Sequence, residues 1–417
     1  MTCRYSVLPA LFILAAILAA PACAGATPLW TRPGTTGGDL SCVIIAPDDK
    51  TIIVGGDQLM SLDRDGRDRW MGSSGNHLAI SPQGDYILAS QGSNVRLLSS
   101  DGRLVWDKTL DSPVTDVSMS PDSSLIVASG GGTIRTMTFS GESLAQNSTM
   151  SINHVSVLPS ARQLIVTTNT NVQTLDLALR TTWSDSNASQ DLLAMAPDGR
   201  SFVTATNNRV QMFRGNWSVD WQKKFEGESI DALAYSRDGS TIVLGTDHDR
   251  VHVLNGNGTL LFSRNATDQI TSVAVSGDGN TIVAGSLDKK AYVFNHAGVI
   301  LGTFDTKTSI RANSVAVTSD GQLIVIVDAS AAYGIPRYSF TGEAPATQTP
   351  ALGVTTGATE ETTPVPLPAT TTRKPAVRTP TVPTPYPQES PTEESPVPPA
   401  IPVLALLFIL VCRAARR

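Results

Sequence analysis

ITSVAVSGDGNTIVAGSLDKKAYVFNHAGVILGTF, residues 270–304, holds four short apolar runs (273–275, 281–284, 291–294 and 299–304) separated by turn clusters. The tightest clusters are Gly277-Asp278-Gly279-Asn280 and Asn295-His296-Ala297-Gly298. Runs of strand length broken by Gly, Asp and Asn read as a four-stranded antiparallel meander. A lone meander leaves both faces and two edges exposed, so this stretch demands neighbours of its own kind.

The neighbours are in the chain. The turns Ala46-Pro47-Asp48-Asp49, Ser81-Pro82-Gln83-Gly84, Ser120-Pro121-Asp122-Ser123, Leu158-Pro159-Ser160-Ala161, Ala196-Pro197-Asp198-Gly199, Ser236-Arg237-Asp238-Gly239, Ser276-Gly277-Asp278-Gly279 and Thr318-Ser319-Asp320-Gly321 recur every 35 to 42 residues. Proline pre-sets the second position of such a turn, and glycine accepts the left-handed conformation that follows. An apolar run precedes each turn, and a run rich in β-branched residues follows, as in Thr241-Ile242-Val243-Leu244; such runs suit strands buried on both faces. A third run alternates in character (Val95-Arg96-Leu97-Leu98, Val251-His252-Val253-Leu254), and an outer strand then ends in an aromatic: Trp70, Trp106, Trp183, Trp221 or Phe262. No helix-length pattern interrupts these runs, so the fold class is all-β.

The ends of the array decide its closure. Unit eight supplies runs at 314–317, 323–327 and 337–340 and then no fourth, while Pro28-Leu29-Trp30-Thr31-Arg32 looks like a fourth strand with no unit before it. Pairing the two closes a ring and removes both free edges, where an open solenoid would need capping repeats. Residues 27–343 are therefore expected to form an eight-bladed β-propeller of four-stranded antiparallel blades, completed by the N-terminal strand. A seven-bladed ring is the alternative if unit four, residues 152–183, is irregular.

The first three strands of each unit resemble WD40 repeats. Gly66-Arg67-Asp68-Arg69-Trp70 and Gly102-Arg103-Leu104-Val105-Trp106 resemble the Gly-x-x-x-Trp docking motif of quinoprotein (PQQ-like) propellers. The departures are plain. The WD40 Gly-His dipeptide is absent, its Trp-Asp is replaced by pairs such as Phe294-Asn295, and the docking motif degrades to Gly258 through Phe262 and is lost in units three and four. The resemblance implies architecture, and neither family's activity follows from it.

Only 16% of the 417 residues are charged and the net charge is −6. With no basic stripe, a nucleic-acid partner has no electrostatic support. Residues 1–26 read as an export signal: Arg4, an apolar core over residues 7–20, and small residues at Ala22-Cys23-Ala24. Cys23 as a lipoprotein cysteine is the alternative. Cys42 is then the one cysteine left in the propeller, so no disulfide can form there.

Residues 344–400 are dominated by Thr and Pro, a composition that cannot bury a core and stays extended; they read as a stalk. The apolar run 401–412 is shorter than the roughly 20 residues a comfortable span needs, and the basic tail 413–417 would stay cytoplasmic. Stalk, short apolar segment and basic tail together resemble the C-terminal sorting signals of prokaryotic surface proteins, archaeal ones included. The expected location is the cell surface, with the chain held at a membrane through its C-terminus.

Candidate chemistry is sparse. His248 and His252 have a zinc-like spacing, but on a strand positions four apart lie about 13 Å from each other. Asp63, Asp65 and Asp68 around Gly66 fall in a hairpin turn and lack the rest of a calcium loop. A quinoprotein dehydrogenase would bring adjacent cysteines, which this chain lacks. No catalytic, cofactor or metal residue is therefore expected. Asn147, Asn187, Asn216, Asn257 and Asn265 each begin an Asn-x-Ser/Thr sequon, all in expected turns or connections, and are candidates for glycosylation. The reading is a non-catalytic surface module that binds an envelope protein or glycan through loops such as 246–250 and 222–229. The alternatives are an exported propeller enzyme and an envelope assembly scaffold.

Overall fold

The computed structural model describes residues 26–341, except 36–37, 82, 149–150, 159–162, 187–191 and 197. The expected leader except its last residue, Ala26, the expected stalk, apolar segment and basic tail, and Asn187 lie outside the described residues. The described chain is all-β apart from one helical turn, Tyr338–Thr341.

Residues 270–304 fold as the strands Ile270–Val275, Thr281–Ser286, Lys290–Asn295 and Ile300–Asp305, paired in that order. Eight such sheets form the ring. In the first blade the two middle strands run together in one element, Thr51–Asp63, which pairs with Leu40–Ile45 through one half and with Asp68–Gly75 through the other. Unit four is regular, with strands Ile152–Val157, Leu164–Thr168, Val172–Leu175 and Thr181–Asp185, so the ring has eight blades rather than seven.

The β-branched second strands are sandwiched between neighbouring blades. Leu125–Gly130, Thr241–Thr246 and Thr281–Ser286 are buried at every position, which is why their sequences are continuously apolar or small instead of alternating. The core clusters accordingly join adjacent blades; Val283 and Val293, for example, pack with Ile324 and Ile335. Closure occurs as expected. Trp30–Pro33 pairs antiparallel with Ala331–Pro336, and Trp30, Leu323 and Val325 share a core with Leu40, Ile52 and Val54 of blade one. One expectation fails: the third strand of unit eight is Ala331–Pro336, not residues 337–340. The Asp328 carboxylate accepts the Ser330 and Ala331 amides at 2.8 Å each, a turn so tight that the strand starts at once and the helical turn takes up the following residues.

The first-to-second-strand turns share a side-chain lock. In blades three, six and seven a serine hydroxyl (Ser120, Ser236, Ser276) donates to the Asp two residues on and accepts the amide five residues on, at 2.6–2.9 Å. Thr318 does the same with Asp320 and Leu323. The Ser120 and Ser124 hydroxyls and the Ser124 amide hold Asp122 down to about 2.

The outer-strand aromatics lie just after the third turn, near the start of each strand rather than its end, and pack onto the next blade. Trp30, Trp70 and Trp221 cover Gly66, Gly102 and Gly258, and each indole N–H donates to the carbonyl two residues before that glycine, at 2.8–3.1 Å. Trp106 does so on Gly141 through the Phe139 carbonyl at 2.8 Å, so unit three retains the receiving half of the docking contact although its own aromatic is gone. Ala145 stands there instead and shares a core with Leu179, which occupies the next blade's glycine position at φ 61°. Bulk has moved from one side of the junction to the other. Gly258→Ala should cost about 2–3 kcal/mol, because φ is +80° and the new Cβ would lie 2.6 Å from the Trp221 ring. Gly132→Ala, at φ +81° with nothing within 4 Å, should cost only about 1 kcal/mol. Denaturant melts of the two variants measure the difference, which is the steric share of docking.

Candidate interaction face

One end of the ring carries the second-to-third-strand turns and the crossings between blades. In blades five to seven these loops are pinned from beneath. Glu228, in the crossing that leads into Ile230–Tyr235, is buried and meets His252 Nε2 at 2.8 Å and Arg250 at 2.5 Å. The other ring nitrogen, Nδ1, faces Ser263 Oγ at 2.7 Å, and Phe225 stacks on the imidazole with centroids 4.4 Å apart. Burial pushes the Glu228 carboxyl up, but His252 and Arg250 more than offset it and hold it below the usual range. With both nitrogens of His252 engaged, the pair His248 and His252 has none to offer a metal from that side. His248 itself faces Asp247, which also accepts the Ser229 amide at 2.6 Å.

His252 occupies a register position that recurs. It stands opposite Leu244 as Tyr292 stands opposite Ala284, Tyr333 opposite Ile326, Arg96 opposite Ala89 and Arg135 opposite Ala128. Each carries a polar group out of an apolar strand to a tie at this end: Tyr292 to Asp288 and Thr267, Tyr333 to Asp328, Arg96 to Asp107, Arg135 to Asp111. Glu228 is the residue that the sequence reading missed. The polar residue at this register position, His252 in blade six, was the available signal, but its partner lies 24 positions away in the preceding crossing.

Above these ties the loop tips keep charge in reserve. Asp249 and Lys289 sit at the tips of adjacent turns with φ 59° and 69°, and neither side chain has an ion-pair partner among the described residues. Among the described residues exposed Glu226 is met only by Asn208 at 3.5 Å. The expected loop 246–250 is therefore present. Of residues 222–229, the first three belong to the strand Ser218–Lys224.

The four described sequons are not brought together. Asn216 and Asn257 are exposed in third-to-fourth-strand turns, as expected. Asn147 and Asn265 instead close the outer strands Ser143–Asn147 and Leu260–Asn265. Asp63 caps its own hairpin by accepting the Arg67 amide at 2.8 Å, and Asp65 and Asp68 pair with Arg67 and Arg32.

The axial mouth at the other end holds cavities of about 240 and 650 Å³. The larger has mostly apolar walls (Ile80, Met119, Val157, Met195), the smaller exposes more polar surface (Asp49, Tyr235, Arg237, Ser319), and Arg237 and Asp49 are the charged side chains among the described lining residues. Asp49 is spent on the Ser319 and Asp320 amides. Cys42 is buried, its thiol pushed up to about 11 by that burial, and so is not a nucleophile at neutral pH.

Residues 105–136 and 257–295 match the family described as WD40: WD domain, G-beta repeat. The first match opens in the outer strand of one blade and the second in the turn just before it, and each ends in the third strand of the next blade, the same offset by which the N-terminal strand closes the ring. The structure entitled "Crystal Structure Of The C-Terminal WD40 Domain Of Sif2" is similar, with a TM-score of 0.65 at 11% identity, covering 75% of this chain and 98% of that one. No curated protein matches. Two stretches of the chain thus match WD40 repeats, and the fold is a WD40-like propeller.

Proposed function

We propose that this WD40-like propeller is an exported, non-catalytic module that binds a protein of the cell envelope through the loop tips of blades five to seven. The observation that carries the reading is the pairing of rigid loops with unspent charge: Glu226, Asp249 and Lys289 stand over crossings pinned by Glu228, His252, Asp288 and Tyr292. Loops already ordered lose little entropy on binding, so their charges are available for recognition. WD40 propellers in general act as protein-interaction scaffolds, in line with this reading.

The leader-like residues 1–26, the Thr/Pro stalk and the short apolar end support display at a membrane, and their sorting-signal character supports a prokaryotic, archaeal-type surface protein. Among the described residues no helix is long and apolar enough to cross a membrane. Asn216 and Asn257, exposed on the opposite turns, are the sequons best placed for glycosylation. The docking contacts support kinship with quinoprotein-type propellers in packing, while the scarcity of charged side chains among the described residues of the axial mouth favours binding over catalysis.

Affinity capture from envelope fractions tests the reading. The full chain should retain a protein partner that the triple variant Glu226→Lys, Asp249→Lys, Lys289→Glu releases, with retention falling at high salt. A folded triple variant that captures the same partner equally well would overturn this face as the site.

A further inference from the structure

A second site lies at the opposite end of the ring, between the last two blades, and does not depend on the interaction face. The first-to-second-strand turns of blades seven and eight (Asp278, Asn280, Asp320, Gln322), the blade-seven hairpin tip (Asn295, His296) and Arg337 line an open polar depression of about 390 Å³. Arg337 leaves the final strand, and its guanidinium has no hydrogen-bond or ion-pair partner among the described residues; its Nε is buried and unsatisfied. A buried donor without an acceptor is costly, and native proteins keep few of them.

The other polar groups narrow the class of ligand. Asp278 and Asp320 are both held below the usual carboxylate range: burial raises each, and the Ser276 or Thr318 hydroxyl with nearby amides more than offsets it. Their Oδ1 atoms are committed to the turns. Among the described residues Asp278 Oδ2 meets only Asn280 Nδ2 at 2.7 Å and Asp320 Oδ2 only Arg64 at 2.7 Å, so each keeps capacity to accept a hydroxyl proton. Two carboxylates beside one free guanidinium disfavour a multiply charged anion such as phosphate. They suit a ligand with one carboxylate and several hydroxyls. The volume suits a sugar-sized molecule.

We infer that this depression binds an acidic sugar, a uronate, with its carboxylate on Arg337 and its hydroxyls on Asp278, Asp320 and the flanking amides. Ligand-observed NMR on the purified full chain, with D-glucuronate and D-galacturonate as probes, tests it. A uronate should bind saturably with a Kd on the order of 1 mM. D-glucose, acetate and inorganic phosphate should each bind at least about tenfold more weakly, as should the uronate to Arg337→Met. Gln322 is exposed, so Gln322→Glu keeps the fold while adding a charge that repels the carboxylate; it decides the matter if Arg337→Met does not fold. No saturable uronate binding would overturn the assignment, as would phosphate or acetate binding as tightly, or a folded variant that binds the uronate unchanged. Partner capture by the blade five to seven loops should be unaffected by either substitution, which separates the two sites.

Discussion

Removing residues 27–33 should lower the melting temperature by about 10 °C or more and broaden the transition, because this strand alone closes the ring. Trp30 is 9% exposed, packs on Gly66 and Gly334, and donates to the Arg64 carbonyl at 3.0 Å. Truncating a buried Trp to Ala costs about 3–5 kcal/mol by itself. The deletion also strips the pairing with Ala331–Gly334, the Leu29 amide bond to the Gly334 carbonyl and the Arg32 contacts to Gly66 and Asp68. It leaves the edge of Ala331–Pro336, buried at every position, open to water. Against a total stability of about 5–15 kcal/mol that is a large fraction. Gly334→Ala checks the same junction without shortening the chain: its Cβ would lie 2.0 Å from the Trp30 indole, so the ring must leave its seat. A melting temperature within about 2 °C of wild type for both variants would mean that the N-terminal strand does not hold the ring shut.

Closure was legible because it depends on counting strands, and strand count follows from turn spacing. The Ser-x-Asp turns keep their hydrogen bonds within five residues, so they punctuate the sequence wherever they occur. Docking was partly legible. Gly66 and Trp70 belong to one hairpin in sequence, yet each glycine receives the aromatic of the preceding blade, and the exchange of bulk between Ala145 and Leu179 hides the junction from any motif. The third strand of unit eight was misplaced because Ala331-Ala332-Tyr333-Gly334 lacks the β-branched character of the other runs, and burial between blades overrode that propensity. Candidate sites were least legible. Asp278, Asp320 and Arg337 meet only because two blades pack side by side, and in sequence the two aspartates read as turn punctuation.

Glu228→Ala should destabilise the ring by about 3–5 kcal/mol and weaken partner binding at loop tips it never touches. The carboxylate is buried between His252 and Arg250, and its loss leaves His252 Nε2 facing no acceptor in an apolar wall formed partly by Phe225. Glu228→Gln keeps an acceptor and the shape, so it should cost less. The two variants also differ from wild type in pH response. The folded-state carboxyl of Glu228 lies below its ordinary value of 4.5. Its contribution is therefore complete above the unfolded value and lost as pH falls through the lower folded one; the substituted chains should lack that component of the acid limb. Tyr292→Phe is the milder counterpart in the next blade, where the hydroxyl lost to Asp288 and Thr267 leaves a ring that still packs. Hydrogen exchange at residues 225–231 locates the effect. If Glu228 pins the crossing, amides there should exchange faster in Glu228→Ala while the distant blade three is unchanged, and the affinity for a partner should fall as the loops lose their prior order. A Glu228→Ala protein as stable as wild type, or one whose crossing exchanges no faster, would remove the physical link between the buried ties and the charged tips on which the binding face rests.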